Sequence, residues 1–321
     1  MIFAIRGILI SSSIFVVLYC ALSVTVCNLW RRVWYCGERH QQRRCADLLF
    51  ALRMLPFGVA SAVTFVVAVP SFLLLEPRAG SESIGPMPSI LGLCGIVLLI
   101  WGIRNATMAW MRASRMLAQW SLKATFICSS PIRSQKSVSV LRTSADVPPL
   151  TAAGIFRPTV WLSRAAEFVL NDRELQTALR HEAVHVQRRD NLRKLVMRLV
   201  AFPGMNGLER AWRERTEMAA DDAAVSSASE ALDLAAAVIK LSRLVSVQPA
   251  GEVTMALVHS PAESVNARVE RLISWNERHD VPNRHSFRYS LCAAAVAVTT
   301  LAVTYSYLLV RMHAVTEWLV R

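Results

Sequence analysis

Two histidines four residues apart, with a glutamate directly after the first, stand in the run Arg180-His181-Glu182-Ala183-Val184-His185. Residues four apart share one face of a helix, so His181 and His185 can offer two imidazole nitrogens to one metal ion. Glu182 lies one residue round the helix from the first of them. That grouping suits hydrolysis, because a bound Zn²⁺ lowers the pKa of a water to about 7 and a neighbouring carboxylate can take its proton. A catalytic zinc needs a third protein ligand and keeps its fourth position open. The downstream run Arg215-Thr216-Glu217-Met218-Ala219-Ala220-Asp221-Asp222-Ala223-Ala224 supplies Glu217 as that ligand. Asp221, on the same helical face, is placed to hydrogen-bond the far nitrogen of a liganding histidine, fixing its tautomer and raising its basicity.

The elements that must position these groups carry their own signals. Asn171-Asp172-Arg173-Glu174 has the form of a capping box and starts a helix that continues through the histidines. Leu175, Leu179 and Val186 form its buried side, and the alanines around Glu217 and Asp221 let a second helix approach closely. Upstream, Ser137 to Arg142 alternates Val138 and Val140 with polar residues, as a half-buried strand does. After Pro148-Pro149, the run Ala153 to Ser163 is a second strand candidate. Its edge, beside a metal site, would either hold an extended peptide by main-chain hydrogen bonds or belong to a purely structural hairpin.

Asp190 and Asn191 are placed to cap a new helix, with a supporting role behind a metal ligand as the alternative for Asp190. Leu192 to Val200, with Arg193, Lys194 and Arg198 interleaved, reads as an amphipathic helix resting on a membrane or on the metal domain. Trp212 and Met218 are expected to be packing residues. Val265 to Ile273, with Arg268 and Arg271, is expected to be a solvated helix. Hydrolysis also calls for an oxyanion stabiliser; His259 and His279 are candidates, against the alternative of ordinary surface histidines.

Composition sets the environment. The chain has 321 residues, 54% of them hydrophobic, a mean hydropathy of +0.35 and a formal charge of +13, which points to a membrane protein with a basic face. Four uncharged runs are long enough to cross a bilayer, about 7–29, 54–75, 84–103 and 289–310. The loop after the first carries Arg31, Arg32, Arg39, Arg43, Arg44 and Arg53, whereas the loop after the second carries only Arg78, beside Glu76 and Glu82. By the positive-inside rule the first loop is cytoplasmic and both termini are outside. The segment from Arg104 to Arg288 is then cytoplasmic, and its 26 Lys and Arg against 18 Asp and Glu favour contact with anionic lipid. No groove-reading motif is present, so direct nucleic-acid binding is not expected. Thr107 to Leu122, with Arg112, Arg115 and Lys123, is expected to extend the third span as an amphipathic helix lying at the membrane surface. Cys20, Cys27, Cys94 and Cys292 fall in the spans, Cys36 and Cys45 in the basic loop and Cys128 in the large segment. None lies in an outer loop, so no disulfide framework is indicated.

Taken together, Gly154-Ile155-Phe156-Arg157-Pro158-Thr159-Val160-Trp161-Leu162, the His181–His185 motif running into Arg188-Arg189-Asp190-Asn191-Leu192, and Glu217 with Asp221 in E-x-x-x-D spacing resemble the BlaR and MecR type membrane metallopeptidases. The resemblance covers roughly Pro148 to Leu272, and the hydropathy profile extends it over the spans. It implies an α-helical membrane protein of four transmembrane helices with an inserted α+β, gluzincin-like zinc metallopeptidase domain. The implied division is 1–106 for the three-helix membrane region, 107–288 for the cytoplasmic peptidase domain, and 289–321 for the fourth helix and an external tail. Zinc ligation falls to His181, His185 and Glu217, the general base to Glu182 and a supporting role to Asp221. The best-understood members sense β-lactams outside and cleave a DNA-binding repressor inside, or set off its removal.

Two departures qualify the implied function. Those members carry a large penicillin-binding domain after the fourth span, where this sequence has a short tail, so direct β-lactam recognition is not expected. The turn Phe202-Pro203-Gly204-Met205-Asn206-Gly207 stands where the family more often has an Asn-Pro pair beside aromatics. The expectation is a zinc endopeptidase in a bacterial-type cytoplasmic (inner) membrane, cleaving a repressor-like regulatory protein or itself. The alternatives are a non-catalytic membrane transducer that keeps the peptidase fold, and an intramembrane protease, which the arginine-rich setting of His181 disfavours.

Overall fold

A computed structural model describes residues 2–36, 42–76, 85–122, 124–130, 138–143, 148–200, 202–244, 255–256, 262–275, 305 and 307–315. The chain divides into two compact units, one of Met1–Trp30, Met54–Trp101 and His279–Arg321, the other of Arg31–Arg53 and Gly102–Arg278.

Among the described residues, three helices are long and apolar enough to cross a membrane. They are α1 (Ile2–Cys36), α2 (Gln42–Val63) continued through a π-helical turn (Thr64–Ala68) into α3 (Val69–Leu75), and α4 (Pro86–Ser121). Each runs beyond the apolar stretch seen in the sequence. The π turn has a local cause: Pro70 has no N–H to give, and its ring clashes with the carbonyl four residues back. That carbonyl, of Val66, accepts instead from the Tyr305 hydroxyl at 2.9 Å. In the same unit Gly92 and Gly95 of α4 lie against the Leu9 and Ser12 carbonyls of α1, where an added Cβ would come within 2.4 and 2.7 Å. Small residues allow this approach, the usual means of packing helices where lipid gives no hydrophobic drive. Phe65, Leu74, Ile90, Leu93 and Ile100 remain exposed, a surface suited to lipid. Residues 307–315 are helical; most of the expected fourth span lies outside the described residues, as do Arg78, Glu82, His259 and His279.

The second unit is built on a five-stranded sheet: β1 (Ala124–Ser130), β2 (Val138–Thr143), β3 (Leu150–Ala153), β4 (Thr159–Ser163) and β5 (Met255–Ala256). Their order is β1-β2-β4-β3-β5, with β2 and β4 parallel and the other pairs antiparallel. This corrects the expectation of a single strand from Ala153 to Ser163. Gly154 adopts φ +102, a conformation that suits glycine, and an added Cβ there would meet the Arg157 carbonyl at 2.7 Å. Gly154 to Pro158 therefore turn the chain, and β4 lies inside the sheet rather than at its edge.

The described residues also form the helices α5 (Arg164–Val169), α6 (Asp172–Arg188), α7 (Asp190–Leu199), α8 (Asn206–Ala224), α9 (Ala228–Leu244) and α10 (Ala262–Ile273). The core joins Val140, Leu150, Val160 and Leu162 of the sheet to Ala178 and Ala183 of α6, Leu234, Val238 and Leu241 of α9 and Leu272 of α10, with Leu175, Leu179 and Val186 packed at its margin. Trp212 is fully buried, as its reading as a packing residue requires.

Two further expectations change. Thr107 to Leu122 extends the third span within α4, as expected, but not as a bare surface helix: Ala109 and Ala113 pack on Ile155, Leu192 and Leu195, and Trp120 packs on Ala153 and Trp161. This face is taken up by protein, whereas the sequence suggested a membrane surface. The Val265 to Ile273 helix is not solvated all round: Val265, Arg268 and Leu272 are buried along one face of α10.

Candidate metal centre

α6 begins as its sequence requires. The Glu174 amide donates to Asn171 Oδ1 at 2.9 Å, and the Asn171 amide donates to Glu174 Oε2 at 3.0 Å, so two otherwise orphaned donors are satisfied reciprocally. The helix ends at Arg189, a non-glycine residue in the left-handed region with φ 53. That single residue reverses the chain and brings Asp190 back onto the last turn of α6.

His181 and His185 lie one turn apart, buried, with their Nε2 atoms 3.1 Å from each other. From α8, Glu217 Oε2 comes within 3.4 Å of His181 Nε2, and its Oε1 within 3.7 Å of His185 Nε2. The three side chains could hold a metal ion: one ligand atom from each lies within 4.8 Å of the others. The far nitrogens are also occupied. Asp221 Oδ1 stands 3.0 Å from His181 Nδ1, and Asp190 Oδ2 stands 2.8 Å from His185 Nδ1. Asp221 is thus where the sequence placed it, and Asp190 takes the supporting position that was its alternative to a helix cap.

These partners test whether a metal fits. The hydrogen bond to Asp190 keeps the ring proton of His185 on Nδ1, and the Asp221 carboxylate beside His181 Nδ1 favours a proton there, so that each ring when neutral presents a lone pair at Nε2. Two lone pairs and a carboxylate then face one another in a buried space, an arrangement that repels unless a cation or a proton enters it. The donor set fits a divalent cation. Without a metal a proton relieves the repulsion: burial disfavours the charged form of His181, yet contacts with Asp221 and Glu217 outweigh burial and raise it to about 9. Burial likewise opposes ionisation of Glu217, but His185, His181 and Arg268 hold it down at about 2.

Glu182 faces the sheet. Its Oε2 accepts from the Ala152 amide of β3 at 2.6 Å, while Oε1 is buried with no hydrogen-bond partner among the described residues. Burial pushes its pKa up to about 7, against the pull of His185 and His181. β3 is in turn held by Asn191, whose Nδ2 donates to the carbonyls of Ala152 at 3.0 Å and Gly154 at 3.1 Å.

Arg268 completes the centre. Its Nε and Nη2 donate to the two oxygens of Asp221 at 2.8 and 2.6 Å, and Nη1 lies 3.1 Å from Glu217 Oε2. One guanidinium therefore fixes both the carboxylate that could bind a metal and the carboxylate that orients His181. Although burial opposes its ionisation, Asp221 is held well below the ordinary carboxylate range by Arg268 and His181. Sequence reasoning passed over Arg268 and the role of Asn191. A signal for the first existed: Val265, Arg268 and Leu272 repeat at helical spacing, placing the arginine on the apolar face. No protein-family model matches the chain, and no curated protein matches it significantly.

Proposed function

We propose that the second unit is a zinc-dependent endopeptidase domain of the BlaR and MecR type, carried on membrane helices and cleaving a regulatory protein or itself. The observation that carries this is the convergence of His181, His185 and Glu217 beside a buried Glu182 with one free oxygen. Two imidazoles and one carboxylate match the donor set of hydrolytic zinc sites. When bound, zinc would acidify a water and polarise a peptide carbonyl.

The residues around that ion have separate tasks. Asp221 and Asp190 face the Nδ1 atoms, so both Nε2 atoms would be free to ligate the ion once it displaces the extra proton of His181. The Ala152 amide fixes one oxygen of Glu182, leaving Oε1 to take a proton from water. That oxygen can accept the proton and return it to the leaving amine. Arg268 supplies permanent positive charge, so Glu217 and Asp221 stay ionised whether or not the site is loaded. The arginine-rich loop after the first span supports placing the domain in the cytoplasm.

The test is a comparison of protein N-termini between cells producing the wild type and cells producing Glu182→Gln, which keeps the ligands and removes the base. Termini seen only with the wild type would establish proteolysis and name the substrate, this chain included. Matching sets across inducing stresses, from protein that carries its metal, would instead favour the non-catalytic transducer.

A further inference from the structure

α7 is held at both ends and along its side by other elements of the second unit. At its N-terminus Asp190 meets His185, and Asn191 holds the strand whose amide holds Glu182. Along its length Leu192 and Leu195 pack on Ala109 and Ala113 of α4. At its C-terminus Arg53 of α2 donates from Nη2 to the Val200 carbonyl at 2.5 Å, a cation where the helix dipole favours one. Gly102 of α4 lies so close to the Leu199 carbonyl that an added Cβ would stand 2.2 Å from it.

Charge runs along the flank as well. Asp47 of α2 accepts from Arg193 Nη1 at 2.7 Å and from Arg188 Nη2 at 3.3 Å. The same two guanidiniums reach Asp190 Oδ1, at 4.0 Å from Arg193 and 3.6 Å from Arg188. Arg193 also lies over the Phe50 ring, 5.3 Å from its centroid. Asp47, Phe50 and Arg53 are one helical turn apart on α2, and α2 and α4 carry the second and third candidate spans.

We propose that α7 couples these helices to the metal centre, with Asp47, Arg53 and Gly102 as positioning residues. A ten-residue helix is about 15 Å long and moves as a packed body. A displacement of α2 or α4 is therefore delivered to Asp190 and Asn191, and through them to His185 and Glu182. The inference rests on the metal-centre reading above and gives that centre its regulation.

The test uses full-length protein in nanodiscs loaded with Co²⁺, whose visible absorption reports ligand geometry, followed by metal release to a chelator. Asp47→Asn, Arg53→Ala and Gly102→Leu are expected to change the cobalt band and speed release by about threefold to tenfold, less than the roughly 10- to 100-fold typical of losing a histidine-orienting carboxylate. Arg53→Lys, which keeps a cationic donor, should return towards the wild type. Arg142→Ala, which breaks the ion pair with Glu167 away from α7, should change neither. If Gly102→Leu does not fold, Asp47→Asn decides, since the Asp47 side chain is 45% exposed. Variants that melt earlier but keep the wild-type band and release rate would overturn the coupling while leaving the metal centre intact. A wild type that takes up no cobalt would overturn both.

Discussion

Two charge clusters, one in each unit, differ in how their groups are balanced, and one of them could hold a metal ion. In the first unit Arg6 is buried with its Nη2 3.1 Å from Glu76 Oε1, and His313 Nδ1 lies 3.8 Å from Glu76 Oε2. The single carboxylate there already has a guanidinium beside it. In the second unit Arg268 plays that part for both Asp221 and Glu217, yet the Nε2 atoms of His181 and His185 also turn towards Glu217. Charge balance separates an ion pair that ties helices together from a site that could take a further cation.

The largest effect expected from disturbing this balance is at Arg268. Arg268→Gln removes the cation from two buried carboxylates, which should cost about 3–5 kcal/mol in metal-free protein. Saturating zinc should restore part of that, by neutralising Glu217, and melting curves with and without zinc would show it. The corresponding change on the membrane side, Glu76→Gln, should leave zinc content unaltered; a loss of metal there would break the contrast.

The carboxylates behind the histidines come next. Asp190→Asn and Asp221→Asn should each weaken zinc binding by roughly 10- to 100-fold, measured by competition with a chromogenic chelator. An effect at Asp221 alone would mean that His185 is not held through Asp190.

A smaller, graded effect is expected from pH, with opposite signs for the empty and loaded protein. His181 in the empty site is raised from 6.5 to about 9. Its contribution to stability is therefore fully present below about 6.5 and lost as pH rises through about 9. Zinc must displace that proton, so affinity should rise by about tenfold per pH unit across the same window and then flatten. Melting of chelator-treated protein and zinc titrations from pH 6 to 10, both about neutral in ionic strength effects when salt is fixed, would separate the two slopes.

Much of the centre was legible because helical spacing is local. The His181–His185 pair, the capping box at Asn171 and the Glu217–Asp221 face each follow from residues within one or two turns. The three described spans were legible for the same reason, as apolar runs. What escaped depended on distant partners or on one unusual backbone angle. Arg268 meets Asp221 across 47 residues, and an arginine on a helix reads as solvated until its carboxylate is known. Asp190 reaches His185 only because Arg189, with no glycine to announce it, takes a left-handed conformation. The β3–β4 hairpin was hidden in a run that looked like one strand, although Gly154 and Pro158 mark its turn.

The most direct test of the central claim is the zinc content of purified wild type, Glu217→Ala and Glu182→Gln protein after dialysis against a weak chelator. One zinc per chain is predicted for the wild type and for Glu182→Gln, with loss in Glu217→Ala, since Glu217 supplies the third ligand and Glu182 supplies none. Equal zinc in wild type and Glu217→Ala, or none in the wild type, would contradict the assignment.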